Sequence, residues 1–473
     1  MRKTKIVCTL GPASSSEEVM ENMLKSGMDV ARLNFSHGTH EKHKKVIETF
    51  RSVRDRLGVP AAVMLDTKGP EIRIGTFKDK KVLLKSGDDF TLTSETVDGD
   101  NTRVSVTYKN LPSQIKRGDI VLIDDGNVSL KVKETTKTDI LCTVVGGGEI
   151  SDRKGVNIPN VHLDFKYLGK QDEEDLKFGV EMDVDFVAAS FVRSKEDVIA
   201  VRNFLDYHGG YDIKIISKIE NIEGVNNFDE ILKNSDGIMI ARGDMGVEIE
   251  FEKLPGLQKK FIRKCYSAGK MVITATQMLE SMIHHTTPTR AEITDVANAV
   301  FDGTSGIMLS GETAMGDHPA HVVRTMAKIA RQAERDAFDM NIYKDIQYEN
   351  DMEDTTNAIC DAACTTARDV RATAIIAVTK SGYTARRVSK FRPSQAIIAT
   401  TPDKKTYHQL TLSWGVYPVP AIYQTDANVL FDHAIACAKR YGLIKEKDTV
   451  VLTAGTDETT NILTVKTVKS GTR

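Results

Sequence analysis

Polar residues recur two apart at the ends of several β-rich runs: Arg32, Asn34 and Ser36; Lys218 and Glu220; Arg242 and Asp244; Thr274 and Thr276; Ser310 and Glu312. Residues two apart in a strand share a face, so each set presents its groups together. A single pair is explained as a structural ion pair satisfied in place. Five sets at corresponding ends of successive runs point instead to a shared centre. Glu220 and Asp244 could leave most of an octahedral shell open to water and substrate, the usual manner of holding Mg²⁺. Arg32, Arg73 and Lys218 add cations suited to an anionic, phosphorylated substrate. Divalent metal, lysine and arginines together suit phosphoryl transfer, whose transition state is stabilised by position and charge. Asn34, Ser36, Asp66 and Thr67 form a second group, mostly neutral oxygens, fit for a monovalent cation or equally for hydrogen bonds to strand-end backbone. His37, His40 and His43, spaced by three, read as a solvated helix face rather than a zinc site.

Such groups need elements to carry them. From residue 5 onward a short β-rich run, a polar turn and an amphipathic stretch repeat, predicting strands at 5–10, 29–36, 61–67, 186–191, 212–219, 237–242, 271–276 and 306–311. Eight βα units predict an α/β fold, a closed (β/α)8 TIM barrel with its active site at the C-terminal strand ends. Helices are expected over Ser16–Ser26 and Asn221–Lys233, and Gly27, Gly58 and Gly269 supply stops. Between Gly69 and Tyr167 the rhythm breaks into alternating strands joined by Gly, Asp and Asn turns. This is an inserted all-β domain over the barrel mouth, a mobile lid by position or, in the alternative, a passive ornament. Further runs at 374–379, 396–400, 416–419 and 448–453 predict a third, α/β domain. The expected boundaries are 1–68 and 168–338 for the barrel, 69–167 for the lid and 339–473 for the C-terminal domain. There Thr379, Ser381, Gly382 and Thr384 open a helix whose free amides could cradle phosphate, an ordinary turn being the other reading.

At 473 residues the chain predicts two to four domains, and 64 Lys+Arg against 66 Asp+Glu leave a formal charge of -2. That balance argues against nucleic acid or anionic lipid as a partner. No apolar run is long enough for a membrane span or a secretory signal. The 6 cysteines form no CxxC pair, which fits reduced thiols in a cytoplasmic protein. Cys360 and Cys364, four apart on a helix, read as buried small residues, a redox pair being the alternative. No GxxxxGK[ST] loop and no strand-linked GxGxxG occurs.

The motifs KIVCTLGPAS at 5–14, ARLNFSHG at 31–38, LDTKGPEIR at 65–73, KGVNIP at 154–159, SKIEN at 217–221, ARGDMGVEI at 241–249, TATQMLESM at 274–282 and MLSGETA at 308–314 resemble those of the pyruvate kinase family. The resemblance covers essentially the whole chain. It implies phosphoryl transfer from phosphoenolpyruvate to ADP, giving pyruvate and ATP in the final step of glycolysis. It implies Mg²⁺ or Mn²⁺ on Glu220 and Asp244, and Lys218 stabilising the phosphoryl group in flight. Arg32 and Arg73 would bind phosphates, with Asn34, His37 and Arg73 on the nucleotide. The substrate carboxylate would meet the amides of Gly243 and Asp244 with Thr276 contributing, while Thr276 and Ser310 lie near the proton path. Asn34, Ser36, Asp66 and Thr67 match potassium ligands, and Glu71 is the variant associated with K⁺ dependence. Thr379, Ser381, Gly382 and Thr384 match an effector site for a sugar phosphate or AMP, beside Gly455–Asn461. A homotetramer is likewise implied. Two departures stand out: Lys170 precedes Gln171 where the family commonly has lysine directly before aspartate, and Ser305 replaces an expected acidic residue. The rival readings are a barrel lyase or aldolase, which needs no ADP, and a non-catalytic metabolite sensor.

Overall fold

The computed structural model describes residues 1–343, 354–423, 427–455 and 459–469. All eight expected barrel runs form strands: Lys5–Thr9, Val30–Asn34, Ala62–Asp66, Phe186–Ala189, Lys214–Ile219, Gly237–Ala241, Met271–Ala275 and Gly306–Leu309. They are parallel and closed in chain order, the last strand returning to the first with Gly306 opposite Lys5. Their sequences are nearly continuously apolar because helices cover one face and the barrel interior the other. The pleat sorts the side chains. Val7, Val30, Met64, Ala188, Ile216, Met239, Ile273 and Met308 fill the barrel, and Leu412 of the C-terminal domain closes it from below. One pleat further along, the same inward face carries Thr9, Arg32, Asp66, Ser190 and Lys218, so the apolar filling gives way to polar groups at the mouth.

That rule corrects one expectation. Thr274 lies on the parity of outward-facing Val272, and its hydroxyl bonds Thr304 Oγ1 at 3.0 Å. It belongs to the shell between strands and helices, apart from Thr276.

Helix ends follow local chemistry. Ser16 caps Glu17–Ser26 by accepting from Val19 N, and Gly27 ends it at φ 121°. The stretch expected as one helix from Asn221 to Lys233 is two, Ile222–Asn226 and Phe228–Asn234, broken at Asn227.

The insertion holds a seven-stranded mixed sheet between Ile72 and Asn157 and a two-stranded ribbon, Lys81–Leu84 with Gly148–Ser151. It has its own core around Phe90, Leu92, Val121, Leu130 and Ile140. The C-terminal sheet contains the four expected parallel strands, Ala374–Val378, Ala396–Thr401, Val416–Pro420 and Thr449–Ala454, sandwiched between two apolar clusters. A fifth strand, Ile462–Thr467, was not anticipated; it pairs antiparallel at the edge, where its half-exposed pattern suffices. Lys3 Nζ to Gln395 O (2.7 Å) and Lys5 Nζ to Val416 O (2.6 Å) tie this domain to the barrel floor. Among the described residues no helix is long and apolar enough to cross a membrane.

Candidate active site

Six side chains converge at the mouth. Lys218 Nζ lies 2.9 Å from Glu220 Oε1, 3.1 Å from Asp66 Oδ1 and 2.8 Å from Ser190 Oγ. Arg32 reaches Asp66 Oδ2 through Nε at 2.6 Å and Thr9 Oγ1 through Nη1 at 2.7 Å. All are buried. Burial alone would lower the pKa of Lys218, but Asp66 and Glu220 outweigh it and raise it, so the ammonium is held in its charged form. Asp66 is likewise held ionised: burial pushes its pKa up, and Arg32 and Lys218 more than reverse this.

Glu220 and Asp244 behave differently. Burial raises Glu220 to about 7 against the pull of Lys218, with Asp244 adding to the rise. Burial also raises Asp244, opposed by Lys218 and reinforced by Asp125 of the lid. Each carboxyl acts on the other's titration, so a proton on either belongs to the pair. A divalent cation could replace that proton. Hard carboxylate oxygens in a pair suit Mg²⁺, which keeps several positions for water and substrate. Among the described residues no group of three or more His, Cys, Asp or Glu forms a closed metal site.

Thr276 follows its strand at φ 71° and Gln277 at φ 53°, left-handed conformations that a β-branched residue rarely adopts. The twist lets Thr276 Oγ1 accept from Gly243 N at 2.7 Å while donating to Ala275 O at 2.6 Å. Gly243's amide is therefore engaged rather than free for a carboxylate. Asp244 sits in the first turn of Arg242–Glu248. Arg242 does not share a functional face with it: its guanidinium holds Thr276 O (2.7 Å) and Asp295 (2.7 Å), positioning the seventh strand's end. Glu312 is also structural, accepting from Ser310 N and Leu279 N at 2.7 and 3.1 Å.

Ser190, Thr9 and Phe191 were missed in the sequence. Phe191, at φ 54°, donates its N–H to Glu220 Oε2 at 2.6 Å. The signal for Ser190 was available, since it lies two beyond inward Ala188 at a strand end.

Asn34 stands opposite Asp66 in the ladder, which gathers the expected monovalent-cation residues at one corner. There Asn34 Oδ1 accepts from Ser36 N at 3.1 Å and Thr67 Oγ1 from Ser190 N at 3.1 Å. The histidines are only partly solvated: His37 is exposed, whereas His40 pairs with buried Asp175 at 2.6 Å and stacks on Phe178, and His43 stacks on Phe35 at 4.1 Å and bonds His37 O. Arg73 belongs to the lid, held by Glu71 (2.8 Å) and Arg153 O (2.7 Å). Gln171 bonds Asp175 Oδ1 at 2.9 Å while Lys170 is exposed. Ser305 lies at the foot of the eighth strand, its Oγ accepting from Val272 N, far from the mouth.

In the C-terminal domain Gly382 at φ 80° precedes the helix Tyr383–Lys390, Ser381 is exposed, and buried Thr384 bonds Thr460 Oγ1 at 2.8 Å. Of Gly455–Asn461, positions 456–458 fall outside the described residues.

A lid-to-barrel cavity of about 110 Å³ is lined by Glu71, Asp125, Asn157, Asp244 and Glu248 among others. Asn157 of the lid donates to Glu248 Oε1 at 3.1 Å, and Glu248 Oε2 takes Ile222 N at 3.0 Å. The lid base is thus bonded to the segment following Glu220.

Comparison with known proteins is consistent across the chain. A family model described as pyruvate kinase, barrel domain, matches residues 1–323, and one described as pyruvate kinase, alpha/beta domain, matches 357–466. A curated protein named pyruvate kinase from Clostridium acetobutylicum is 45% identical over 474 residues, covering 99% of this chain and 100% of its own. Another of that name from Clostridium perfringens is 47% identical, covering 96% of each. One from Staphylococcus haemolyticus is 46% identical over 96% of this chain and 78% of its own.

Proposed function

The chain belongs to the pyruvate kinase family, and from that premise we propose that the buried network at its barrel mouth is where the family's reaction runs. That reaction transfers the phosphoryl group of phosphoenolpyruvate to ADP, giving pyruvate and ATP in the last step of glycolysis. The observation carrying the assignment is Lys218, a buried ammonium kept charged by Asp66 and Glu220. A fixed cation at the mouth is useful where negative charge builds on a phosphoryl group between donor and acceptor.

Glu220 and Asp244 would hold Mg²⁺ or Mn²⁺, which when bound supplies the charge that draws substrate oxygens together. Arg32, oriented by Asp66 and Thr9, binds phosphate oxygens beside Lys218. Thr276 fixes the Gly243 segment against which the substrate carboxylate rests. Thr276 and Ser310 are the candidates for delivering the proton to the enolate. Arg73, with Asn34 and His37, meets the nucleotide when the lid closes and excludes water that would otherwise accept the phosphoryl group. Asn34, Ser36, Asp66 and Thr67 would ligate K⁺, and Thr379, Ser381, Gly382 and Thr384 a phosphorylated effector. The domain boundaries 1–68 with 168–338, 69–167 and 339–473, a homotetramer and a cytoplasmic location complete the reading.

The test is pyruvate formation from phosphoenolpyruvate with Mg²⁺, run with and without ADP and with and without K⁺. ADP-dependent turnover that rises with K⁺ is expected. Pyruvate release without ADP would favour a lyase, and K⁺-independent turnover would remove the monovalent site.

A further inference from the structure

The lid returns to the barrel through a connection without strand or helix, from Asn157, which ends the lid's last strand, to Lys170, which opens the next helix. Its backbone groups must find partners elsewhere, and midway along they find them on opposite sides by turns. Leu163 O and Phe165 O accept from the barrel, from Arg193 Nη1 at 3.1 Å and Nη2 at 3.3 Å. Between them Asp164 turns to the lid: its O accepts from the Tyr108 hydroxyl at 2.8 Å and its N–H donates to Gln114 Oε1 at 2.9 Å. The Phe165 ring lies between the same two partners, 5.3 Å from the Tyr108 ring and 4.5 Å from the Arg193 guanidinium. Residues 163–165 are therefore a seam with the barrel on one side and the lid on the other. Arg193 is itself held in aim. Asp197 accepts from its Nε at 3.1 Å, its Nη2 at 3.2 Å and its backbone N–H at 2.9 Å, with only 15% of the Arg193 side chain and 8% of the Asp197 side chain exposed. The same turn serves the site: Phe191 N donates to Glu220 Oε2, Ser190 Oγ meets Lys218 Nζ, and Ser190 O accepts from the hydroxyl of Tyr167, just past the seam, at 2.6 Å.

We propose that Arg193 is the positioning residue that fixes the lid's return against the barrel, and that its grip, carried through residues 190–193, sets how closely the lid seals the mouth. This rests on the reading above, in which the lid closes over phosphoryl transfer and excludes water. A guanidinium suits the place because its planar fork serves two carbonyls and a carboxylate at once, which the compact ammonium of a lysine does not. Loosening the seam admits water as the rival acceptor. The water oxygen then bonds phosphorus, the bond from phosphorus to the enolate oxygen breaks, and the two water protons end on phosphate and on the enolate carbon, so that pyruvate and inorganic phosphate form without ATP.

In the full chain, Arg193→Met removes the fork and Arg193→Lys keeps the charge without it. Given phosphoenolpyruvate, ADP and Mg²⁺, the wild type should form ATP and pyruvate in equal amounts; in both variants ATP should fall short of pyruvate, with inorganic phosphate making up the difference. Hydrogen exchange of the amides of residues 163–167, followed without metal or substrate, should be at least about tenfold faster in Arg193→Met than in the wild type, because hydrogen bonds to a charged group are lost, and faster by a smaller factor in Arg193→Lys. Unchanged exchange overturns the anchoring. Faster exchange with ATP still equal to pyruvate makes Arg193 a structural contact only and overturns its part in the reaction. If Arg193→Met does not fold, Arg193→Lys decides both readouts. A wild type that forms no ATP removes the functional reading and this role with it, a failure distinct from equal yields in a variant.

Discussion

Lys218 is the residue whose charge has the clearest use. Its ammonium sits among Asp66, Glu220 and Ser190 before any substrate arrives, so its positioning adds no cost when charge develops. Replacing it with Met is expected to lower kcat by about 10³-fold or more while affinity for phosphoenolpyruvate falls much less. Steady-state rates resolved into kcat and KM decide this, and near wild-type turnover would remove the role. Glu220 carries the pH prediction. Burial puts its pKa at about 7, so below that value a proton occupies the carboxylate pair and must leave before a metal binds. Apparent Mg²⁺ affinity should therefore weaken as pH falls below 7, by roughly tenfold per unit, and flatten above it. Mg²⁺ titrations of activity from pH 6 to 8 test the slope; a flat profile would place the metal elsewhere.

The elements matter through their ends. Barrel strands place inward polar groups at the mouth, but the turns that follow set the final geometry, and several are left-handed: Gly69 at φ 73°, Phe191 at φ 54° and Thr276 at φ 71°. Gly69 is where the chain leaves the third strand for the lid, and its N–H is held by Asp172 Oδ1 at 2.9 Å. A Cβ there would lie 2.8 Å from Ser190 Cβ and 2.9 Å from Ser190 O. Ser190 is a partner of Lys218, so the collision is transmitted to the site. Gly69→Ala should cost about 1–3 kcal/mol of stability and lower kcat at least tenfold, with a smaller change in KM. Denaturant unfolding and initial rates measured on the same preparation check both parts. A variant destabilised but fully active would show that lid hinge and Lys218 are independent.

At the scale of the whole molecule, the floor of the barrel packs against the C-terminal domain. Leu412 enters the barrel interior, and His408, 6% exposed, faces Pro60 O through Nδ1 at 3.3 Å while Nε2 is buried without a partner. Burial, with Arg54 adding, depresses the His408 pKa from 6.5 to about 4. Between those values the unfolded chain binds the proton more readily than the folded one. Stability is therefore full above pH 6.5 and is lost as pH falls toward 4, by up to about 3 kcal/mol from this group. His408→Leu should lose less stability than wild type over pH 7 to 4.5, as read from melting temperatures. Parallel curves would show that acid acts through other groups.

The sequence by itself determined the eight strands, the inserted β domain and the placement of Arg32 and of Lys218 with Glu220 at strand ends, because a period of two and a βα rhythm are local properties of the chain. It also carried the family, through motifs long enough to be specific. Other features depend on contacts between segments distant in sequence. Spacing put Thr274 beside Thr276 and Arg242 beside Asp244, yet the turns after the strands separate them in role. The histidines found Asp175, Phe178 and Phe35, partners no helical spacing could name. Ser190 completes the Lys218 network only because the fourth and fifth strands are neighbours in the closed barrel. Local pattern decides which face a side chain takes; tertiary packing decides which charges and donors it finds there, and so what that side chain does.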